Sequence, residues 1–400
     1  MPMPLNHVIA FIPHAYHPSI GGAQAYTRGL AEALSRAAHE THVIAPDVID
    51  PEAFYSLGHT AVGRPSESLN GVSIHRVPIL GDKSRGELKA RQRRFAKGSR
   101  RVLGEIRPDL VITLPHLFPN VPVTIKNRRR SPWQLLYAPL LHEEDLNWSI
   151  EAVATALAKT DGAIALTPHE AMRLAAAYGV TPDRIALVSP GVAVTSIDTP
   201  AHREPIVAFV GRRSASKRIT ELMAAMQVVW STHPNARLVL AGTGAAGEPD
   251  PADPWREDQR VRVIDSPSDE QRDRILASAS VAASASVTES FGITTLEAWA
   301  QGTPVVVVDT PVSQSIVRDG VDGLLTGASP EDIGHGLLKV LGDASLATVM
   351  GRAGLERART EFTWERSAAA LIAFADSSTG QGVTRMLRPP AHSKRHPDPS

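Results

Sequence analysis

The chain has 400 residues, more than one ordinary hydrophobic core supports, so two domains are expected. With 42% hydrophobic and 21% charged residues it has a soluble globular composition, and a formal net charge of zero gives no overall attraction to nucleic acid. Cysteine is absent, which excludes disulfides and thiolate metal sites and fits a cytoplasmic setting.

The opening MPMPLNHVIAFIPHAYHP lacks a basic n-region, and its apolar run is too short for a signal peptide. No stretch approaches the roughly 20 apolar residues of a membrane span. HVIAFIP (7–13) predicts a buried strand, and AQAYTRGLAEALSRAAHE (23–40) has apolar residues at helical spacing. Further strands are predicted at 41–46, 72–78, 109–115, 134–139, 162–168 and 184–191. Strands alternating with helices at this period predict a parallel sheet covered on both faces.

Residues 192–205, VAVTSIDTPAHREP, have no helical period and read as a linker. The alternation then restarts, with strands predicted at 206–211, 237–242, 260–265, 281–286, 304–309 and 323–325. The expectation is an α/β chain of two Rossmann-like, doubly wound domains, at 1–192 and 205–362. A last helix at 363–376 precedes a polar, proline-rich tail, 377–400, that is expected to be disordered. His392 and His396 in that tail have no partner at metal-ligand spacing, and no metal site is expected.

In ESFGITTLE (289–297), a strand ends in Ser and Thr, SFG turns, and ITTLEAWAQ begins a helix. Ligands of doubly wound sheets bind beyond the carboxyl ends of the strands, where helix N-termini offer unpaired N–H groups and a positive dipole end. Gly292 allows close backbone approach, and Thr294 and Thr295 add hydroxyls, so the turn reads as a phosphate seat. Glu289 and Glu297 flank it, with Glu297 on the order of 8 Å along the helix axis. Two readings fit this spacing: one carboxylate for each sugar of an extended nucleotide sugar, or two solvated charges on an ordinary strand-to-helix turn.

The segment ESFGITTLEAWAQGTPVVVVDTPVSQSIVRDGVDGLL resembles the signature of GT4-type retaining glycosyltransferases of the GT-B fold, with their Glu-x7-Glu motif, G-T-P-V-V strand and D-G-x-x-G-x-L turn. The resemblance extends over nearly the whole chain. It implies two domains facing a central cleft, with acceptor on the first and nucleotide sugar on the second. The last helix would return to the first domain. It implies a UDP-type donor, a hydroxyl acceptor (natural product, lipid carrier or polysaccharide) and no cofactor or metal. Donor contacts are implied at Gly21, Gly22, Glu289, Phe291, Gly292, Ile293, Thr294 and Glu297.

FVGRRSASKRITEL (209–222) resembles the family's G-R-x4-K segment, which implies Arg212 and Lys217 as the cations on the diphosphate. The adjacent Arg213 leaves open which arginine is the ligand. Arg218 stands where the family usually has glycine, as does Asp265 in the region (261–280) implied to hold the base. His142, in APLLHEEDLNW, matches a histidine implied to approach the reacting sugar, and Glu143, Glu144 and Asp145 are candidates to meet the acceptor. The basic stretch 83–101 reads either as weak peripheral contact with the inner membrane face or as a solvated helix face. Nucleic-acid binding is not expected, because aromatic interleaving is absent. Alternatives on the same fold are a nucleotide-sugar epimerase or hydrolase, a phosphorylase, and a non-catalytic binding subunit. The absence of G-x-G-x-x-G after the first strand disfavours a dehydrogenase.

Overall fold

The computed structural model describes residues 6–379 apart from 55–58, 65, 82–86, 116–118, 129–131, 143–149, 195–202 and 245–248. Glu143, Glu144 and Asp145, most of the expected linker, and the tail from residue 380 lie outside the described residues.

Fourteen described strands form two sheets. The first holds β1 (Val8–Pro13), β2 (Glu40–Pro46), β3 (Ser66–Leu69), β4 (Val72–Val77), β5 (Leu110–Leu114), β6 (Gln134–Tyr137), β7 (Gly162–Ala165) and β8 (Ile185–Leu187), in the order β3-β4-β2-β1-β5-β6-β7-β8. The second holds β9 (Glu204–Val210), β10 (Arg237–Ala241), β11 (Val261–Ile264), β12 (Ala279–Ser284), β13 (Val305–Val308) and β14 (Gly323–Thr326), in the order β11-β10-β9-β12-β13-β14. Both orders reverse beside the first strand of the sheet, which is the doubly wound topology with its ligand crevice at the switch point.

The central strands are continuous apolar runs because helices cover both faces. Those of the first half are α1 (Gly22–Arg36), α2 (Glu87–Ile106), α3 (Asn120–Arg128), α4 (Ile150–Leu157) and α5 (Pro168–Tyr178). The second half has α6 (Ile219–Thr232), α7 (Asp269–Ser278), α8 (Ile293–Ala300), α9 (Pro311–Gln314), α10 (Pro330–Leu341) and α11 (Ala344–Thr360). Phe11, Ile112 and Leu136 fill one core, and Val207, Leu238, Val281 and Val306 fill another.

The closing helix, α12 (Trp364–Thr379), packs on α1 of the first half. A Cβ on Gly29 would lie 2.1 Å from the Trp364 ring, so only glycine admits the indole. Arg36 pairs with Glu365 at 2.9 Å, Ser367 Oγ donates to the Ser189 carbonyl at 2.6 Å, and His7 Nε2 meets Asp376 at 3.0 Å. That last contact holds the final turn, and the helix runs three residues past the predicted end.

Several strands are shorter than expected, β7 and β8 among them, and two other differences have local causes. The strand predicted at 281–286 is β12, two residues earlier, because Ser286 leaves the ladder and its hydroxyl donates to the Ser216 and Thr288 carbonyls. The polar SESL segment, not predicted as a strand, is β3, antiparallel to β4. Asn70 (φ 51°) and Gly71 (φ 80°) form the two-residue turn between them.

No described helix is long and apolar enough to cross a membrane. In α2, Phe95, Val102 and Leu103 are buried in the core. Lys89, Arg93, Lys97, Arg100 and Arg101 are exposed, and no apolar side chain of α2 is fully exposed.

Candidate active site

The site forms where the carboxyl ends of β9 and β12 face the amino end of α8. After β9 the chain passes through Gly211, Arg212 and Arg213 into a short helical turn, Ala215–Lys217. After β12 it turns through Glu289 and Phe291 to Gly292, whose left-handed backbone (φ 87°) starts α8 with no side-chain cap. The Thr295 N–H returns to the Gly292 carbonyl at 2.9 Å, and those of Ile293 and Thr294 have no hydrogen bond among the described residues. Thr294 Oγ1 donates to the Val210 carbonyl at 3.2 Å and ties α8 to the end of β9.

Lys217 Nζ meets Glu289 Oε1 at 2.5 Å, so the two motifs of the second half converge. The adjacent arginines part company. Arg213 is 1% exposed; its guanidinium donates to Asp250 Oδ1 and Oδ2 at 3.0 Å, to Asp265 and to the Gly242 carbonyl. It is a structural staple between the ends of β10 and β11. Arg212 is exposed and makes no hydrogen bond or ion pair among the described residues. Its charge reaches His14 at the end of β1: burial first, and Arg212 second, push that imidazole down to about 3.

Phe291 and Thr294 were expected at the donor. Phe291 is buried edge-to-face against Phe362 at 6.1 Å, and the Thr294 hydroxyl serves the Val210 carbonyl. For Phe291 only the main chain is available to a ligand. Ile293 is half-buried at the first position of α8.

Glu297 faces Arg272, whose Nη1 lies 3.0 Å from Glu297 Oε1 and donates to Asp269 Oδ1 at 3.0 Å. Burial holds the Glu297 carboxyl above the ordinary value; Arg272 opposes this, and Asp273 and Asp269 add to it. Asp269 also lies 3.6 Å from Arg28 of α1, so a chain of charges links the two halves beside this carboxylate.

The first half supplies the other wall. Gly21 caps α1, and a Cβ there would lie 2.5 Å from Gln24 Oε1. Gln24 Nε2 donates to Ser19 Oγ at 3.2 Å and contacts His14 Nε2 at 3.4 Å. A Cβ on Gly22 would meet nothing within 4 Å. His142 is half-buried and follows Leu141, whose N–H donates to buried Glu170 at 2.9 Å.

Sequence reasoning missed His14, Arg272 and Glu170. His14 is an isolated polar residue in the sequence, Arg272 sits in a run of charges and Glu170 ends a Thr-x-x-Glu helix start; burial and partners distinguish them.

Residues 20–196 match the family model described as Glycosyltransferase Family 4, and residues 197–357 match the model described as Glycosyl transferases group 1. A D-inositol 3-phosphate glycosyltransferase of Nocardia farcinica is 32% identical over 267 residues, 60% of this chain and 59% of that protein. Its counterpart in Corynebacterium glutamicum is 31% identical over 230 residues, 51% of this chain and 54% of that protein. The chain thus spans less than two thirds of the curated relatives it matches. Among solved structures, sucrose-phosphate synthase from Thermosynechococcus elongatus superposes with a TM-score of 0.76 at 21% identity, covering 94% of this chain and 99% of that one. Anabaena HepE in complex with UDP and glucose gives 0.72 at 15% identity, covering 93% and 100%.

Proposed function

Because the chain belongs to the GT4 glycosyltransferases and has their GT-B fold, we propose that it transfers a sugar from a nucleoside-diphosphate donor to an acceptor hydroxyl, retaining the anomeric configuration. The observation that carries this reading is the meeting of Lys217 with Glu289 at the uncapped amino end of α8, with Arg212 exposed beside them.

The diphosphate replaces Glu289 as the partner of Lys217. Lys217, Arg212 and the α8 N–H groups then supply the positive charge that the departing diphosphate needs. Glu289, released from the lysine, and His142 hold the sugar. Glu297 accepts hydrogen bonds from the ribose. The acceptor hydroxyl attacks the face from which the diphosphate leaves. Its oxygen bonds to the anomeric carbon, the bond from that carbon to phosphate oxygen breaks, and a donor phosphate oxygen takes the proton.

UDP is the proposed nucleotide, in line with HepE's complex. The relatives named for D-inositol 3-phosphate support a phosphorylated polyol as acceptor. A cavity of about 230 Å³ lined by His17, Pro18, Ile49, Val62, Arg64 and Glu67, beyond β1 and β2, offers it a mixed apolar and charged wall.

A thermal-shift screen of UDP-, GDP- and ADP-sugars tests the reading. One of these nucleotides at 100 times its Kd is expected to stabilise the chain by about 2.7 kcal/mol. No response, or one that Lys217→Ala leaves intact, overturns it.

A further inference from the structure

We propose that Glu170 is a positioning residue for the transfer reaction: its buried carboxylate clamps the loop that presents His142. The inference rests on the glycosyl-transfer reading above and on the role given there to His142.

Glu170 lies in the first turn of α5 and is 3% exposed. Oε1 accepts the Leu141 N–H at 2.9 Å, and Oε2 accepts the Leu166 N–H at 2.7 Å. The Glu170 N–H donates to Thr167 Oγ1 at 3.0 Å, which caps the same helix. One side chain therefore joins the loop after β6, the end of β7 and the start of α5. The loop it holds is bent: Leu140 has φ 55°, the left-handed region that a branched side chain rarely adopts. Leu140 and Leu141 are both buried, and His142 is the next residue.

The residue type follows from the donors. Both groups aimed at Glu170 are N–H, so the site needs two acceptors on one side chain. Glutamine offers one acceptor and one donor, and its amide would confront one of the two N–H groups. A carboxylate meets both, at the expense of burying charge. A helix cap alone does not require this, because Thr167 already caps α5.

Two measurements on the full chain decide the matter. The first is amide hydrogen exchange without ligand. At pH 8, where the carboxyl is ionised, Glu170→Gln should speed exchange at Leu141 about tenfold or more, with α8 unchanged. Glu170→Asp, which keeps two acceptors, should restore part of the protection. Unchanged exchange at Leu141 overturns the clamp.

The second is transfer from UDP-glucose to D-inositol 3-phosphate as the acceptor probe, followed as UDP release. Glu170→Gln should lower kcat about tenfold or more and leave KM within about twofold. In a His142→Ala background the same substitution should cost less than about twofold, because it acts through His142. Losses that multiply overturn the positioning role. Full turnover in His142→Ala removes His142, and with it the positioning role, while the exchange result still stands on the clamp. Loss of turnover in every chain, wild type included, counts against glucose as the donor sugar or UDP as its carrier, and exchange at Leu141 then decides the clamp alone.

Discussion

Lys217 and Glu289 are 72 residues apart in the chain and meet at 2.5 Å, closing the mouth of the site with a pair of opposite charges. A diphosphate competes with Glu289 for the lysine, so the two residues should fail differently. Lys217→Ala is expected to weaken nucleoside-diphosphate binding and to lower kcat about 10²-fold. Glu289→Gln should keep the nucleotide and lose turnover. Both side chains are about a quarter or less exposed, and the pair contributes about 1 kcal/mol or less to folding. Equal nucleotide affinity in wild type and Lys217→Ala takes the lysine out of the site.

Arg212 and Arg213 separate cleanly by experiment. Arg213→Ala leaves Asp250 with only Arg256 and the Ala252 N–H among the described residues, and should cost about 2–3 kcal/mol in a denaturant melt, less than a fully buried pair because Asp265 is more than half exposed. Arg212→Ala should leave the melt unchanged and weaken nucleotide binding about tenfold. Reversed phenotypes would exchange the two assignments.

Arg218 has a left-handed backbone, with φ 51° and ψ 46°. Its guanidinium donates to the Ala285 carbonyl at 3.2 Å and the Ala328 carbonyl at 3.0 Å. Alanine loses these contacts and keeps the strain; glycine loses them and relieves it. Arg218→Gly should therefore be more stable than Arg218→Ala by about 1 kcal/mol. Equal melts would mean that the turn relaxes on substitution.

Burial pushes the Glu170 carboxyl up to about 7 from an ordinary 4.5; its two backbone N–H donors and Arg173 pull the other way. The folded chain therefore holds a proton that the unfolded chain releases between these values. The resulting stabilisation is complete below about pH 4.5 and is lost as pH rises through about 7, an amplitude of about 3 kcal/mol. His14 runs oppositely: its contribution is present above its ordinary 6.5 and lost as pH falls toward about 3. Subtracting the Glu170→Gln melt from wild type cancels His14. The difference should favour wild type by about 3 kcal/mol more at pH 4.5 than at pH 7.5. A flat difference would place the carboxyl in water.

Much of the fold is legible because buried parallel strands must be apolar throughout, as PVVVVD and HVIAFIP are. β3 escapes that logic: an edge strand with one open face can be as polar as SESL, although Asn70-Gly71 signals its turn. The candidate phosphate ligands Arg212 and Lys217 are legible from local spacing, but not which neighbouring arginine is exposed. That is settled by Asp250 and Asp265, 37 and 52 residues downstream of Arg213. The hydroxyl of Thr294 reads as a ligand in the sequence, and what the sequence does not show is its bond to the Val210 carbonyl. Glu170 shows in the sequence only as the end of a Thr-x-x-Glu helix start, and nothing local points to the two amides it holds.

The packing of Trp364 into the notch at Gly29, with Arg36 on Glu365 and His7 on Asp376, has a consequence for how the protein is made. During translation the first sheet leaves the ribosome before the second, yet the helix that seals one of its faces is synthesised only after the whole second sheet. Until then α1 must wait with its outer surface bare, a natural stage for chaperone capture. Final maturation of the first half thus waits on synthesis of the second.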